Sequence, residues 1–140
     1  MRRFGLTVFE LTIVLMIVGV LTTLAVPRLV GFRNASAVRS AASEVAAAFM
    51  LARQSAITDR ATVAVVLDTV AGEITVRSGP RVVGRRQLRA IYSVILSANR
   101  DSAVYDARGM GYGVSNVTIT IRRGSFVDTL TMSRLGRLTW

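Results

Sequence analysis

The sequence contains no cysteine and no histidine, and all 18 of its basic residues are arginine. Without cysteine there is no disulfide framework and no thiolate metal site, and the redox compartment stays unspecified. Without histidine the commonest general base and zinc ligand is missing. Lysine is absent too, so the many serines have no obvious activating base. Most hydrolytic and metal-dependent chemistries are hard to assemble from what remains, and the chain reads as a non-enzyme with no cofactor, no metal and no small-molecule substrate. Acidic residues are also scarce, 8 against 18 arginines, which leaves a net charge of +10. That surplus suits phosphate or carboxylate partners, because arginine offers a planar donor fork. Codon usage in a GC-rich genome would leave the same lysine-free composition, so both readings stand.

What the sequence has in quantity is apolar residues, 51% of the chain, too many for disorder. Part of the excess is concentrated at the start, where Leu6 to Val26 carries a single charge, Glu10. At 1.5 Å per residue this run would span about 30 Å as a helix, the thickness of a bilayer core. A carboxylate within it costs roughly 2.5 to 3.5 kcal/mol at a helix centre. A secretory signal peptide would use the basic Arg2-Arg3 and a weak cleavage site at Thr23-Leu24-Ala25, but it has no use for Glu10, and the run is longer than its usual apolar region. A plain single-pass anchor has no use for it either. Arg2 and Arg3 precede the run while Arg28, Arg33 and Arg39 follow it, so flanking charge does not fix an orientation.

Beyond Pro27 the pattern turns amphipathic without a loop signal. Val38, Ala42, Val45, Phe49, Ala52 and Ala56 recur at helical spacing, with Arg39, Ser40, Ser43, Glu44, Arg53 and Gln54 largely off that stripe. This predicts one helix from about Thr7 to Ile57, roughly 75 Å long. From Ala61 the period approaches two, and strands are expected over Thr62 to Leu67, Glu73 to Arg77, Leu88 to Leu96, Val117 to Arg122 and Phe126 to Met132. Turn residues separate them, and an Arg123-Gly124-Ser125 turn marks a hairpin. The expected class is α+β, a long N-terminal helix packed on an antiparallel β domain. Gly109 to Gly113 reads as a surface loop, since neither a following helix nor a lysine accompanies its glycines. Asp101 and Asp106 beside Asn99 are too sparse in oxygen ligands for a calcium site.

Arg2-Arg3-Phe4-Gly5, then Leu6-Thr7-Val8-Phe9-Glu10-Leu11, the uncharged run and Pro27 together resemble a type IV prepilin leader and mature N-terminal helix. The resemblance implies cleavage by a prepilin peptidase between Gly5 and Leu6 and N-methylation of Leu6. Glu10 would become the fifth mature residue and Pro27 the twenty-second, the family positions for filament assembly. Leu6 departs from the usual Phe or Met. The implied layout is a leader over 1–5, a membrane and filament-core helix over 6–27, its amphipathic continuation over 28–57, and the β domain over 58–140. By the same analogy Glu10 would neutralise the Leu6 amine of a neighbouring subunit, since both groups are desolvated in a filament core.

Towards the C-terminus, Ala103-Val104-Tyr105-Asp106-Ala107-Arg108-Gly109 and Met132-Ser133-Arg134-Leu135-Gly136-Arg137 are similar to the H-type minor pseudopilins of type II secretion and the related FimT-type minor pilins. The resemblance implies a structural subunit. It would sit as a single-pass protein in the bacterial inner membrane with its domain in the periplasm, then join other pilin or pseudopilin subunits in a filament. Some FimT-type pilins bind DNA for natural transformation, and Arg134 and Arg137 match the tail that does so. Arg122 and Arg123 would widen that tail into a phosphate-binding patch, whereas Arg85, Arg86 and Arg89 form a second basic cluster that makes the charge diffuse. A DNA-binding pilin and a monomeric membrane-anchored domain are the competing readings.

Overall fold

The computed structural model describes residues 7–112 and 116–139. The chain divides into two compact units, Met1–Arg33 and Asn34–Trp140, and one helix, α1 (Val8–Asp59), runs through the boundary between them. In the first unit every side chain from Thr7 to Val30 is exposed, and an 18-residue window of α1 reaches a mean hydropathy of 2.3 with none of it covered. A helix that is apolar all round has no preferred face to bury in water. Its hydroxyls are satisfied internally: Thr12 donates to the Phe9 carbonyl, Thr22 to Val18 and Thr23 to Val20. Three threonines therefore add no unpaired donor to a helix suited to hydrocarbon. Pro27 lies inside α1 without ending it, although its missing N–H leaves one carbonyl a turn earlier without the usual partner.

In the second unit α1 behaves as the spacing predicts. Val38, Ala42, Val45, Phe49, Ala52 and Ala56 are all buried, and Ala41, Ala46 and Ala48 widen the stripe. Alanines along a buried face cost no side-chain entropy and let other elements approach the helix backbone. The strands that follow are β1 (Val63–Asp68), β2 (Glu73–Ser78), β3 (Arg81–Gln87), β4 (Ile95–Ala98), β5 (Ser102–Tyr105), β6 (Val117–Arg123), β7 (Phe126–Met132) and β8 (Leu138–Thr139). They form two antiparallel four-stranded sheets, ordered β3-β2-β1-β5 and β4-β6-β7-β8. Strict alternation in β1 and β6 sends Val63, Val65 and Leu67, and Val117, Ile119 and Ile121, into one apolar cluster with the α1 stripe. Phe49 meets the Tyr105 ring edge-on at 6.4 Å and 78°, a favoured aromatic geometry that ties α1 to β5.

Two expectations need correction. Leu88 to Leu96 is not one strand: Leu88–Tyr92 forms a short helix, α2, and pairing resumes only at Ile95. The Arg89 backbone N–H donates to the Gly72 carbonyl and its guanidinium to the Val70 carbonyl, while Leu88 is fully buried. These contacts, distant in sequence, overrule a local β preference. The strand β3 was not expected from its sequence, because three arginines and a glycine obscure any alternation. It is a mostly exposed edge strand, irregular at Val83, which has no partner where the register slips between Val76 and Arg77. Gly84 faces α1 there: a Cβ would lie 2.9 Å from Leu51 Cδ2, so any larger residue would have to turn that leucine aside.

The β6–β7 hairpin forms with a tighter turn than expected, Gly124-Ser125 alone between Arg123 and Phe126. Gly124 takes φ +59 while Ser125 stays in the negative region, the pattern of a turn that places glycine at its first central position.

Candidate functional site

The head of α1 holds the sole acidic residue of the apolar segment. Glu10 Oε2 accepts the Thr7 backbone N–H at 2.9 Å and the Thr7 hydroxyl at 3.0 Å, while the Glu10 N–H donates back to Thr7 Oγ1 at 3.3 Å. The Thr7 carbonyl receives the first helical bond, from Leu11. This is a reciprocal capping box, with Thr7 as N-cap and Glu10 three residues on. The carboxylate thus has two donors from its own chain and also lies at the positive end of the helix. Thr7 is the capping partner that the sequence did not single out; the Thr-x-x-Glu spacing ahead of an apolar run was the available signal. Gly5 and Leu6 lie outside the described residues, and Pro27 sits seventeen residues beyond Glu10 on the same helix.

At the far end of the chain, two turns interlock. Asp106 Oδ1 accepts the N–H groups of Arg108 and Met110, which folds residues 106–110 into a tight turn. Ser133 and Arg137 close the second turn through Ser133 N–H to the Arg137 carbonyl, and Gly111 N–H reaches across to the Arg134 carbonyl. Gly109 is buried at φ +74 beneath Arg53 and Ile57 of α1, while Met110 and Tyr112 beyond it are exposed, so the expected surface loop is anchored at its first glycine; Gly113 lies outside the described residues. A groove of about 230 Å³ runs beside these turns, lined by Phe49, Met50, Arg53, Tyr105, Arg137 and Leu138.

Burial pushes the Tyr105 hydroxyl up to about 12, although the nearby Arg53 charge pulls the other way. The folded-state pKa lies above the ordinary value of 10, so this group's contribution is complete below pH 10 and is lost as pH rises through 12. Denaturant titrations should show stability falling across that window by about 2 to 3 kcal/mol, with Tyr105→Phe flattening the fall.

The predicted phosphate-binding residues separate. Val117 pairs with Met132 at one end of the hairpin and Arg123 with Phe126 at the other, so Arg122 and Arg123 lie about 20 Å along β6 from the turn that carries Arg134 and Arg137. The four do not form one patch. Arg123 is also committed to the fold, donating to the Tyr92 carbonyl. In the Arg85, Arg86 and Arg89 cluster, Arg85 pairs with Glu73 at 2.9 Å and Arg89 with the Val70 carbonyl. Arg86 Nε lies 2.8 Å from Glu44 Oε2 without pointing along the line to it, a Coulombic contact rather than a hydrogen bond. That pair stands on the rim of a wider cleft floored by Leu88, Ile91 and Tyr92. Among the described residues no group of three metal-ligating side chains comes together.

Residues 41–136 match the protein family described as Type II transport protein GspH. The chain belongs to the GspH family. The matched stretch covers most of the second unit and starts after the apolar segment. This GspH-family chain is similar in fold to the type IV minor pilin FimU of Pseudomonas aeruginosa strain PAO1. In one crystal form of FimU the TM-score is 0.62 at 18% identity, covering 73% of this chain and 86% of FimU. In a second crystal form it is 0.60 at 15% identity, covering 72% and 90%. No curated protein matches. A GspH-family chain with a pilin fold, a long apolar N-terminal helix and two antiparallel sheets is a pilin-like structural subunit, consistent with membrane anchoring and with assembly alongside other pilin subunits.

Proposed function

We propose that this chain is a minor pseudopilin or pilin that a prepilin peptidase cuts between Gly5 and Leu6 and methylates at Leu6. It then waits in the inner membrane with its domain in the periplasm, and enters a pseudopilus or type IV pilus. The supporting observation is the first unit: an uncovered apolar helix, satisfied in its own hydroxyls, with one capped carboxylate at its head. A disposable signal segment has no need of a capped carboxylate, and an inert anchor gains nothing from one. In a filament core the Leu6 ammonium of a neighbour gives it a partner.

Mass spectrometry of the N-terminus after co-expression with a prepilin peptidase tests this reading. The expected product begins at N-methylated Leu6. A chain that retains Met1, or one cut after Ala25, would remove the prepilin assignment and leave an anchored domain or an exported one.

A further inference from the structure

The arginines of the second unit differ in how they are held. On the side of β3 and α2, Arg85, Arg86, Arg89 and Arg123 are each engaged by a carboxylate or a backbone carbonyl. Around the interlocked turns, Arg53, Arg108, Arg134 and Arg137 are all exposed and have no ion pair among the described residues. Arg39, Arg60, Arg77, Arg81, Arg100 and Arg122 are likewise exposed and without an ion pair among the described residues, so the excess is spread over the unit; what sets the turns apart is that Arg53 and Arg137 line one groove together. Exposed apolar side chains stand among these arginines: Met50 at 64% and Leu135 at 64%.

We infer that this groove is a docking surface for an acidic segment of another protein subunit, one that carries apolar side chains between its carboxylates. The inference rests on the reading of the chain as an assembling subunit and names where a partner attaches. Free guanidinium groups alone would suit any polyanion. Exposed methionine and leucine between them favour a protein, because arginine and methionine are enriched in protein interfaces and a phosphate backbone has no use for the apolar contacts. The groove's small volume accommodates side chains rather than a duplex.

A second copy of this chain is a poor occupant. Of the acidic residues in the second unit, Glu44 and Glu73 face arginines. Asp68, Asp106 and Asp128 accept backbone N–H groups close by in their own chain. With seven carboxylates against fourteen arginines in this unit, two copies carry like net charge and repel.

The test uses the full chain in neutral detergent and fluorescence anisotropy at physiological salt. Three probes of equal charge are compared: a peptide of alternating glutamate and phenylalanine, polyglutamate, and a DNA duplex. The alternating peptide should bind tightest, and Arg53→Ala with Arg137→Ala should weaken it about tenfold or more. Arg100→Ala with Arg122→Ala removes the same charge from exposed positions elsewhere and should leave binding nearly unchanged. Circular dichroism of both variants guards against loss of fold. The inference is overturned if the duplex binds as well as the peptide, if polyglutamate equals it, or if both double variants weaken it alike. It is also overturned if the wild-type chain self-associates through these two arginines. The uncleaved chain serves for every measurement, so failure of leader cleavage would sink the assembly reading and leave this result separately readable.

Discussion

Glu10→Val should lower filament incorporation by roughly two to four orders of magnitude while leaving membrane insertion and leader cleavage intact. The size follows from breaking a desolvated charge pair by removing one partner, roughly 3 to 5 kcal/mol, because the Leu6 ammonium of the neighbour would be left buried and alone. The variant also dismantles the capping box, which by itself is worth about 1 kcal/mol at the start of a helix. Thr7→Ala separates the two effects, since it removes the hydroxyl from the cap and keeps the carboxylate. The measurement is the ratio of sheared filament to membrane-retained protein for each variant. If Glu10→Val assembles normally, the carboxylate has no role between subunits. If Thr7→Ala fails as completely as Glu10→Val, capping rather than charge pairing is the function of Glu10.

Gly136→Val should destabilise the second unit by roughly 2 to 5 kcal/mol, a large share of the stability of a small domain. Two costs add. The residue has φ +71, where a β-branched side chain is strained, and a Cβ would lie 2.8 Å from the Gly109 carbonyl oxygen and 3.0 Å from the Tyr105 ring. Neither neighbour can swing aside: the Gly109 oxygen is backbone, and Tyr105 is fully buried against Phe49. Gly79→Val is the comparison, because Gly79 has φ +56 but nothing within 4 Å of a built Cβ. Urea denaturation followed by circular dichroism should show Gly136→Val well below Gly79→Val. Equal losses would mean that backbone strain alone is at work and that the two turns are not tightly interlocked.

The extent to which the sequence disclosed this molecule follows the range of the forces involved. Helix α1 and its buried stripe were legible because side-chain spacing and alanine content act locally, and β6 and β7 were legible because alternation and a glycine turn do the same. Helix α2 was hidden because the carbonyls of Val70 and Gly72, far back along the chain, decide the conformation at Arg89. Strand β3 was hidden because an edge strand with most of its side chains in solvent carries no apolar alternation to read. Glu10 stood out as a lone charge in an apolar run, whereas its partner Thr7 looked like an ordinary helix residue. Arg134 and Arg137 were visible, but their company was not. Only the folded chain brings Arg53 beside Arg137 and carries Arg122 and Arg123 away.

The capping box at the head of α1 needs nothing before Thr7, so removal of residues 1–5 would leave it whole. On the assembly reading, Glu10 is never a bare charge awaiting rescue: Oε2 already holds two donors of its own chain, and Oε1 is left to meet one on the next. The step into the filament then adds a contact to a carboxylate already held in place, and only that addition weighs on the equilibrium. A cap that need not open on entry need not reform on departure, so a subunit leaving the filament on this reading keeps a helix head ready for the bilayer.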